Sequence, residues 1–394
     1  MAMVPEARNR ALRNVLARGL IGAAAAVLAC LTPTVAAAAG AVGASTSNRA
    51  VVVIQGGGAP HPFSTPWAAC DSGRPAFVQA LVDAGLPTFT APGFSNTQSS
   101  TGGETGCPAE PPLETQWNTS GYPTQAGKAV LGFLGWLHAT YGYRTFDLVG
   151  YSYGGVVSRA TSAALHQWPA AAVFAPGFSY AQLAVDAGVT IPSIVTLNSP
   201  HLGSPTYDIA GDPAKYTAPV ARAWGAEFAE AGKGLLVFQT TEGAGAIQVL
   251  KTAPHARRDP GGWDARQAGV LDGVALTLVA GDYCGTTCAP GRASDRGATK
   301  KGLRTDGTVP VYSQLIQPCP RPCPTPPRSV YIPAGLLPAG VVRKTFPTVH
   351  STYDANRLKL PKALAASANP AAITYIVDTV VTRWRMAGVP LLVP

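Results

Sequence analysis

The chain has 394 residues, 46% of them apolar and 13% charged, with 43 glycines and 36 prolines. An apolar share this high excludes a disordered chain and supplies a large core. No collagen-like period, heptad run or repeat of about 20 to 50 residues is present, which excludes fibrous and solenoid architectures. The net charge of +9 is not gathered into a Lys/Arg stripe, so no nucleic-acid partner is expected.

Residues 1–39 read as a signal peptide. Arg8, Arg10, Arg13 and Arg18 stand against Glu6, an Ala-rich apolar run follows from Gly19 to Leu31, and A-x-A patterns end at Ala38 and Ala39. This is a basic, then apolar, then small-residue order. Pro33 and the small residues suit a peptidase site better than the end of a membrane helix. Cleavage removes four arginines and one glutamate, leaving +6 on residues 40–394, and the expected location is extracellular. Cys30 leaves with the signal, and Cys70, Cys107, Cys284, Cys288, Cys319 and Cys323 remain. An even number in an exported chain points to three disulfides, with Cys70 and Cys107 flanking one loop. The alternative, zinc held by the two C-x3-C pairs, fits poorly with an oxidising compartment and with Pro318, Pro320, Pro322 and Pro324.

Residues 40–394 read as one domain. Ala50–Gln55 is β-branched and runs into Gly56-Gly57-Gly58, predicting a buried strand that enters a glycine turn. Phe77, Leu81 and Val82 set helical spacing over 74–84, and a short strand is expected over Leu86–Ala91. Residues 92–120 read as a long loop. Val130, Leu131, Leu134 and Leu137 mark an amphipathic helix over 121–141. A strand over Thr145–Gly150 leads to a helix over Tyr153–His166, and further strands are expected over Ile191–Leu197 and Val274–Ala280. Between them, residues 201–272 form an Ala-rich helical insertion carrying Trp224, Phe228, Phe238 and Trp263. A Cys/Pro-rich loop (284–327), strand candidates at Ser329–Ile332 and Val341–Phe346 and a helix over Pro370–Met386 complete the chain. Strands alternating with helices predict an α/β fold with a mostly parallel sheet flanked by helices.

Gly150-Tyr151-Ser152-Tyr153-Gly154 matches G-x-S-x-G. The pattern alone is common, but here a β-branched strand runs into it and a small-residue helix leaves it, the setting in which such a serine is a nucleophile. A serine hydroxyl needs a base. In that motif's order the acid and then the histidine follow the serine, and among His166, His201, His255 and His350 only His350 lies late enough. For the acid, Asp306 in Thr305-Asp-Gly-Thr-Val competes with Asp282, which directly follows the strand ending at Ala280. An oxyanion would be met by the backbone N–H of Tyr153 and by the Gly56 and Gly57 amides of the turn after the first strand.

Together these residues resemble secreted bacterial lipases and esterases of the α/β-hydrolase superfamily, over roughly residues 50–360. Thr196-Leu-Asn-Ser-Pro-His201-Leu-Gly-Ser204 is similar to their T-x-x-x-P-H-x-G-S stretch, and Asp306-Gly-Thr-Val to the segment carrying their catalytic aspartate. The resemblance therefore implies Asp306 as the acid, His350 as the base and a structural role for His201. The chain departs from the family at the entrance loop, where His-Gly is replaced by Gln55-Gly56. The implied activity is cleavage of carboxylic esters, acylglycerols or similar lipid esters, with no cofactor, a transient contact with a lipid interface, and the 201–272 insertion as a cap. An acyltransferase would use the same motifs. A non-catalytic binding module on this scaffold would show an incomplete triad.

Overall fold

The structure, a computed structural model, describes residues 48–68, 74–95, 111–168, 179–224, 226–235, 244–252, 263–283, 304–319 and 332–391. The expected signal peptide, all cysteines but Cys319 and most of the Cys/Pro-rich loop lie outside these residues.

Among the described residues eight strands follow in order: β1 (Arg49–Ile54), β2 (Thr88–Thr90), β3 (Gly93–Phe94), β4 (Trp117–Asn118), β5 (Thr145–Tyr151), β6 (Thr190–Leu197), β7 (Ala275–Gly281) and β8 (Val342–Phe346). Six form one sheet in the order β2-β1-β5-β6-β7-β8, and every pairing in it is parallel. The helices are α1 (Ala76–Asp83), α2 (Pro123–Tyr141), α3 (Tyr153–Gln167), α4 (Ser179–Asp186), α5 (Pro205–Gly211), α6 (Pro213–Trp224), α7 (Ala226–Gly234), α8 (Ala244–Leu250), α9 (Trp263–Arg266), α10 (Val311–Gln314), α11 (Thr352–Arg357) and α12 (Pro370–Met386). The α/β fold with a parallel sheet is as the sequence predicts. Within the expected loop 92–120, β3 and β4 pair. In the strand candidate 329–332, only Ile332 is described, and it is not in a strand.

A parallel sheet is covered on both faces, so its strands read as unbroken apolar runs rather than alternations. All six residues of β1 are buried. Val52 and Ile54 pack on one side with Val130, Leu131 and Leu134 of α2 and Val156 and Val157 of α3. Val51 and Val53 pack on the other with Phe77 and Leu81 of α1 and Ile376, Val380 and Trp384 of α12. The helices of the insertion, α5 to α9, lie between β6 and β7 in the chain, and α5, α6 and α7 pack on one another. Trp224 and Phe228 stack there, with ring centroids 5.2 Å apart, in a small core shared with Tyr312 of α10.

One fully buried carboxylate ties the layers together. Asp147 of β5 receives Arg49 Nε at 2.7 Å and Nη2 at 2.8 Å from β1, Trp384 Nε1 at 2.6 Å from α12, and the Ser193 hydroxyl from β6. With both oxygens met by donors, the charge is tolerated inside the sheet.

Candidate active site

Ser152 stands between the end of β5 and the start of α3, at φ 53° and ψ −126°. A non-glycine residue with positive φ is strained and persists only where its surroundings enforce it. Here they do. Its N–H is held by the Leu197 carbonyl at 2.8 Å, while a Cβ on Gly154 would overlap the carbonyl oxygen of Ile54 and one on Gly150 would sit 2.5 Å from Gly155 Cα. The two glycines of the motif thus let α3 turn directly against β1 and β5.

The serine Oγ lies 2.9 Å from His350 Nε2, and His350 Nδ1 lies 2.7 Å from Asp306 Oδ2. Asp306 is fully buried. Its other oxygen accepts the N–H groups of Thr308 at 2.9 Å and Val309 at 2.7 Å, a tight turn that Gly307 permits at φ +93°. Burial pushes the Asp306 carboxyl up, against the pull of His350 and the two backbone donors. Three donors meet this carboxylate, so the shared proton sits on His350 Nδ1 and leaves Nε2 bare toward the serine. Burial opposes charge on His350, yet Asp306 and Asp354 outweigh it and hold the imidazole above its ordinary pKa.

The other candidates are placed elsewhere. Asp282 Oδ2 is paired with Arg304 Nε at 2.5 Å. His201 Nε2 is 3.0 Å from Thr196 Oγ1, and His166 Nδ1 is 2.9 Å from the Ser162 carbonyl. His255 lies outside the described residues. Tyr153 opens α3, and its ring is tied by its hydroxyl to the Gly121 carbonyl at 2.6 Å. Gly56 packs so closely that a Cβ there would be 3.3 Å from Ser152 Cβ.

A parallel sheet with helices on both faces, a serine turn after β5, an aspartate turn after β7 and a histidine loop after β8 make the α/β-hydrolase arrangement. No protein-family model matches the chain, and no curated protein matches it. Among solved structures it is similar to a Bacillus licheniformis lipase in its mature form, at 14% identity over 86% of this chain and 94% of that chain, TM-score 0.39. It is also similar to a gene product of Listeria innocua (12%, covering 84% and 93%, TM-score 0.36). Brefeldin A esterase, a bacterial homologue of human hormone-sensitive lipase, matches at 13% identity over 87% and 70%, TM-score 0.36. Likeness this remote decides neither fold nor activity. The sheet itself carries the fold.

Several residues around the site were not expected from sequence. The Tyr151 hydroxyl donates to the His350 carbonyl at 2.6 Å, and its ring stacks on the imidazole at 5.9 Å. Asp354 of α11 accepts the Thr308 hydroxyl at 3.1 Å on Oδ1 and the Ser351 hydroxyl at 2.5 Å on Oδ2, which ties the acid turn to the histidine loop. Ser351 caps α11 in return, accepting the Asp354 N–H at 3.2 Å; a Ser followed three residues later by an acid is the sequence signal for that cap. His61 reaches back to the Gly56 carbonyl at 2.5 Å. Cys319 is disulfide-bonded. Among the described residues no group of three His, Cys, Asp or Glu is placed to hold a metal ion, and no helix is long and apolar enough to cross a membrane.

Proposed function

We propose that this protein is a serine hydrolase of carboxylic esters, acting on acylglycerols or similar lipid esters. The observation that carries the reading is the unbroken chain from Ser152 Oγ through His350 to Asp306, at 2.9 and 2.7 Å, on a turn whose strain is enforced from three sides. Ser152 Oγ attacks the acyl carbon as its proton passes to His350 Nε2. The charge developing on the carbonyl oxygen is met by the Tyr153 N–H, at the positive end of α3, and by the Gly56 and Gly57 amides. The C–O bond to the alcohol then breaks, and the alcohol leaves with the proton from Nε2. Water attacks the acyl-serine, gives its proton to Nε2, and the acid departs as Ser152 regains it. Asp306 keeps the proton on Nδ1 throughout and stabilises the transient imidazolium. The aromatic insertion, packed on α10 beside the acid turn, supports a cap over the acyl group.

Hydrolysis of p-nitrophenyl esters from acetate to palmitate tests this. Wild-type turnover with a loss of at least about 10³-fold in Ser152→Ala is expected, together with labelling of Ser152 by a fluorophosphonate. A pure, folded Ser152→Ala variant of near-wild-type activity overturns the reading. We further propose export, with residues 1–39 removed, for which the N-terminal sequence of protein recovered from the culture medium is the measurement.

A further inference from the structure

We propose that His61 is the positioning residue that sets the Gly56–Gly57 peptide plane and thereby makes the Gly57 N–H the second oxyanion donor. The inference rests on the hydrolase reading above and adds to it a residue and a geometry.

Three glycines follow β1, and a Gly-Gly peptide rotates freely unless something holds it. A working oxyanion hole needs donors fixed before the charge appears, because reorienting them during the reaction forfeits the benefit. The hold comes from the imidazole of His61, whose Nε2 lies 2.5 Å from the Gly56 oxygen. A carbonyl oxygen only accepts, so Nε2 carries the proton. Desolvation pulls this imidazole down to about 4, against the opposing influence of the Gly56 carbonyl, so the ring is neutral near pH 7 and Nε2–H is its one N–H.

The peptide bond is planar and trans. The carbonyl of Gly56 and the N–H of Gly57 therefore point in opposite directions, and fixing the first fixes the second. With the oxygen turned to His61, the Gly57 N–H is turned away from it. Gly56 is at the same time pressed against the nucleophile, a Cβ there being 3.3 Å from Ser152 Cβ and 3.6 Å from the Tyr151 ring.

His61 itself is well anchored. Its backbone pairs with Gly93 in both directions, at 2.6 and 2.9 Å, and its ring stacks on Trp117 at 6.2 Å and 24°. Trp117 is fully buried and lies 6.1 Å from the ring of Tyr153. One tryptophan therefore braces both the histidine that orients the Gly57 amide and the residue that carries the other donor.

The test uses His61→Phe, which keeps a flat ring on Trp117 without a donor, and His61→Gln, whose amide restores an N–H at similar reach. With p-nitrophenyl butyrate, His61→Phe is expected to lower kcat on the order of 10²-fold with KM within about threefold. Its affinity for a trifluoromethyl ketone, which binds as a tetrahedral oxyanion, should fall in parallel, and His61→Gln should recover at least tenfold of the lost kcat. If His61→Phe does not fold, as judged by thermal denaturation, His61→Asn takes its place, since that shorter amide does not reach Gly56. A kcat within about threefold of wild type in the donor-less variant overturns the proposal, and so does a Gln variant no better than it. Loss of the hydrolase reading is separately visible, as activity surviving in Ser152→Ala.

Discussion

At the residue scale the site turns on which carboxylate meets His350. Asp306 and Asp282 are both buried and both lie after β7, but Asp282 is neutralised by Arg304 and Asp306 faces the imidazole. Asp306→Asn therefore turns the His350 proton onto the wrong nitrogen and should reduce kcat by on the order of 10⁴-fold, whereas Asp282→Asn should stay within a few-fold of wild type. Steady-state rates of the two folded variants side by side decide between them. A second expectation concerns pH. The base works only when neutral, and His350 is held above 6.5 by Asp306 and Asp354 once their charges outweigh burial. The rate should therefore rise with pH through a midpoint above 6.5. Asp354→Asn removes one raising charge, so the acid limb of its kcat/KM profile should move to lower pH; an unmoved limb would show that Asp354 acts on the loops alone. Ser152 and His350 were readable because motif order constrains them. Tyr151, Asp354 and His61 were not, because each acts through a contact between segments that no local spacing announces, Tyr151 across 199 residues.

Among the elements, legibility followed the size of the side chains at the packing surfaces. β1, β5 and β6 announce themselves through β-branched runs, and α2 through its Val and Leu spacing. Nothing marks α4, whose buried residues are Ala181 and Ala184; small contacts leave no apolar period to detect. Yet α4 is packed hard against α2, since a Cβ on Gly135 would overlap the carbonyl oxygen of Tyr180. Gly135→Ala should force the two helices apart and lower unfolding stability by about 1–3 kcal/mol, as read from denaturant melts. The short helices α10 and α11, of four and six residues, also escaped sequence reading, because one turn of helix has too few positions to show a period.

For the molecule as a whole, the sheet is held in register by apolar burial on two faces and by one ionic node within it. Asp147→Ala would remove the buried carboxylate that Arg49, Ser193 and Trp384 all donate to, and the loss should reach about 3–5 kcal/mol. Because Asp147 lies near the start of β5 while Ser152 follows its end, the folded fraction of the variant should still turn over ester at a near-normal rate per active site, as counted by fluorophosphonate titration.

The same node also sets an order of events for a chain made from its N-terminus. Trp384, bonded to Asp147 across 237 residues, sits with Ile376 and Val380 of α12 and Phe77 and Leu81 of α1 on one face of the sheet. Until α12 has been synthesised, that face has α1 but lacks the rest of its cover, and the carboxylate lacks one of its donors. A ribosome-bound chain can build the other face from α2 and α3, but it completes this one only near the end of its synthesis. The final helix works as the latch on the fold, and a chain ending before it should remain open to proteases that the finished protein resists.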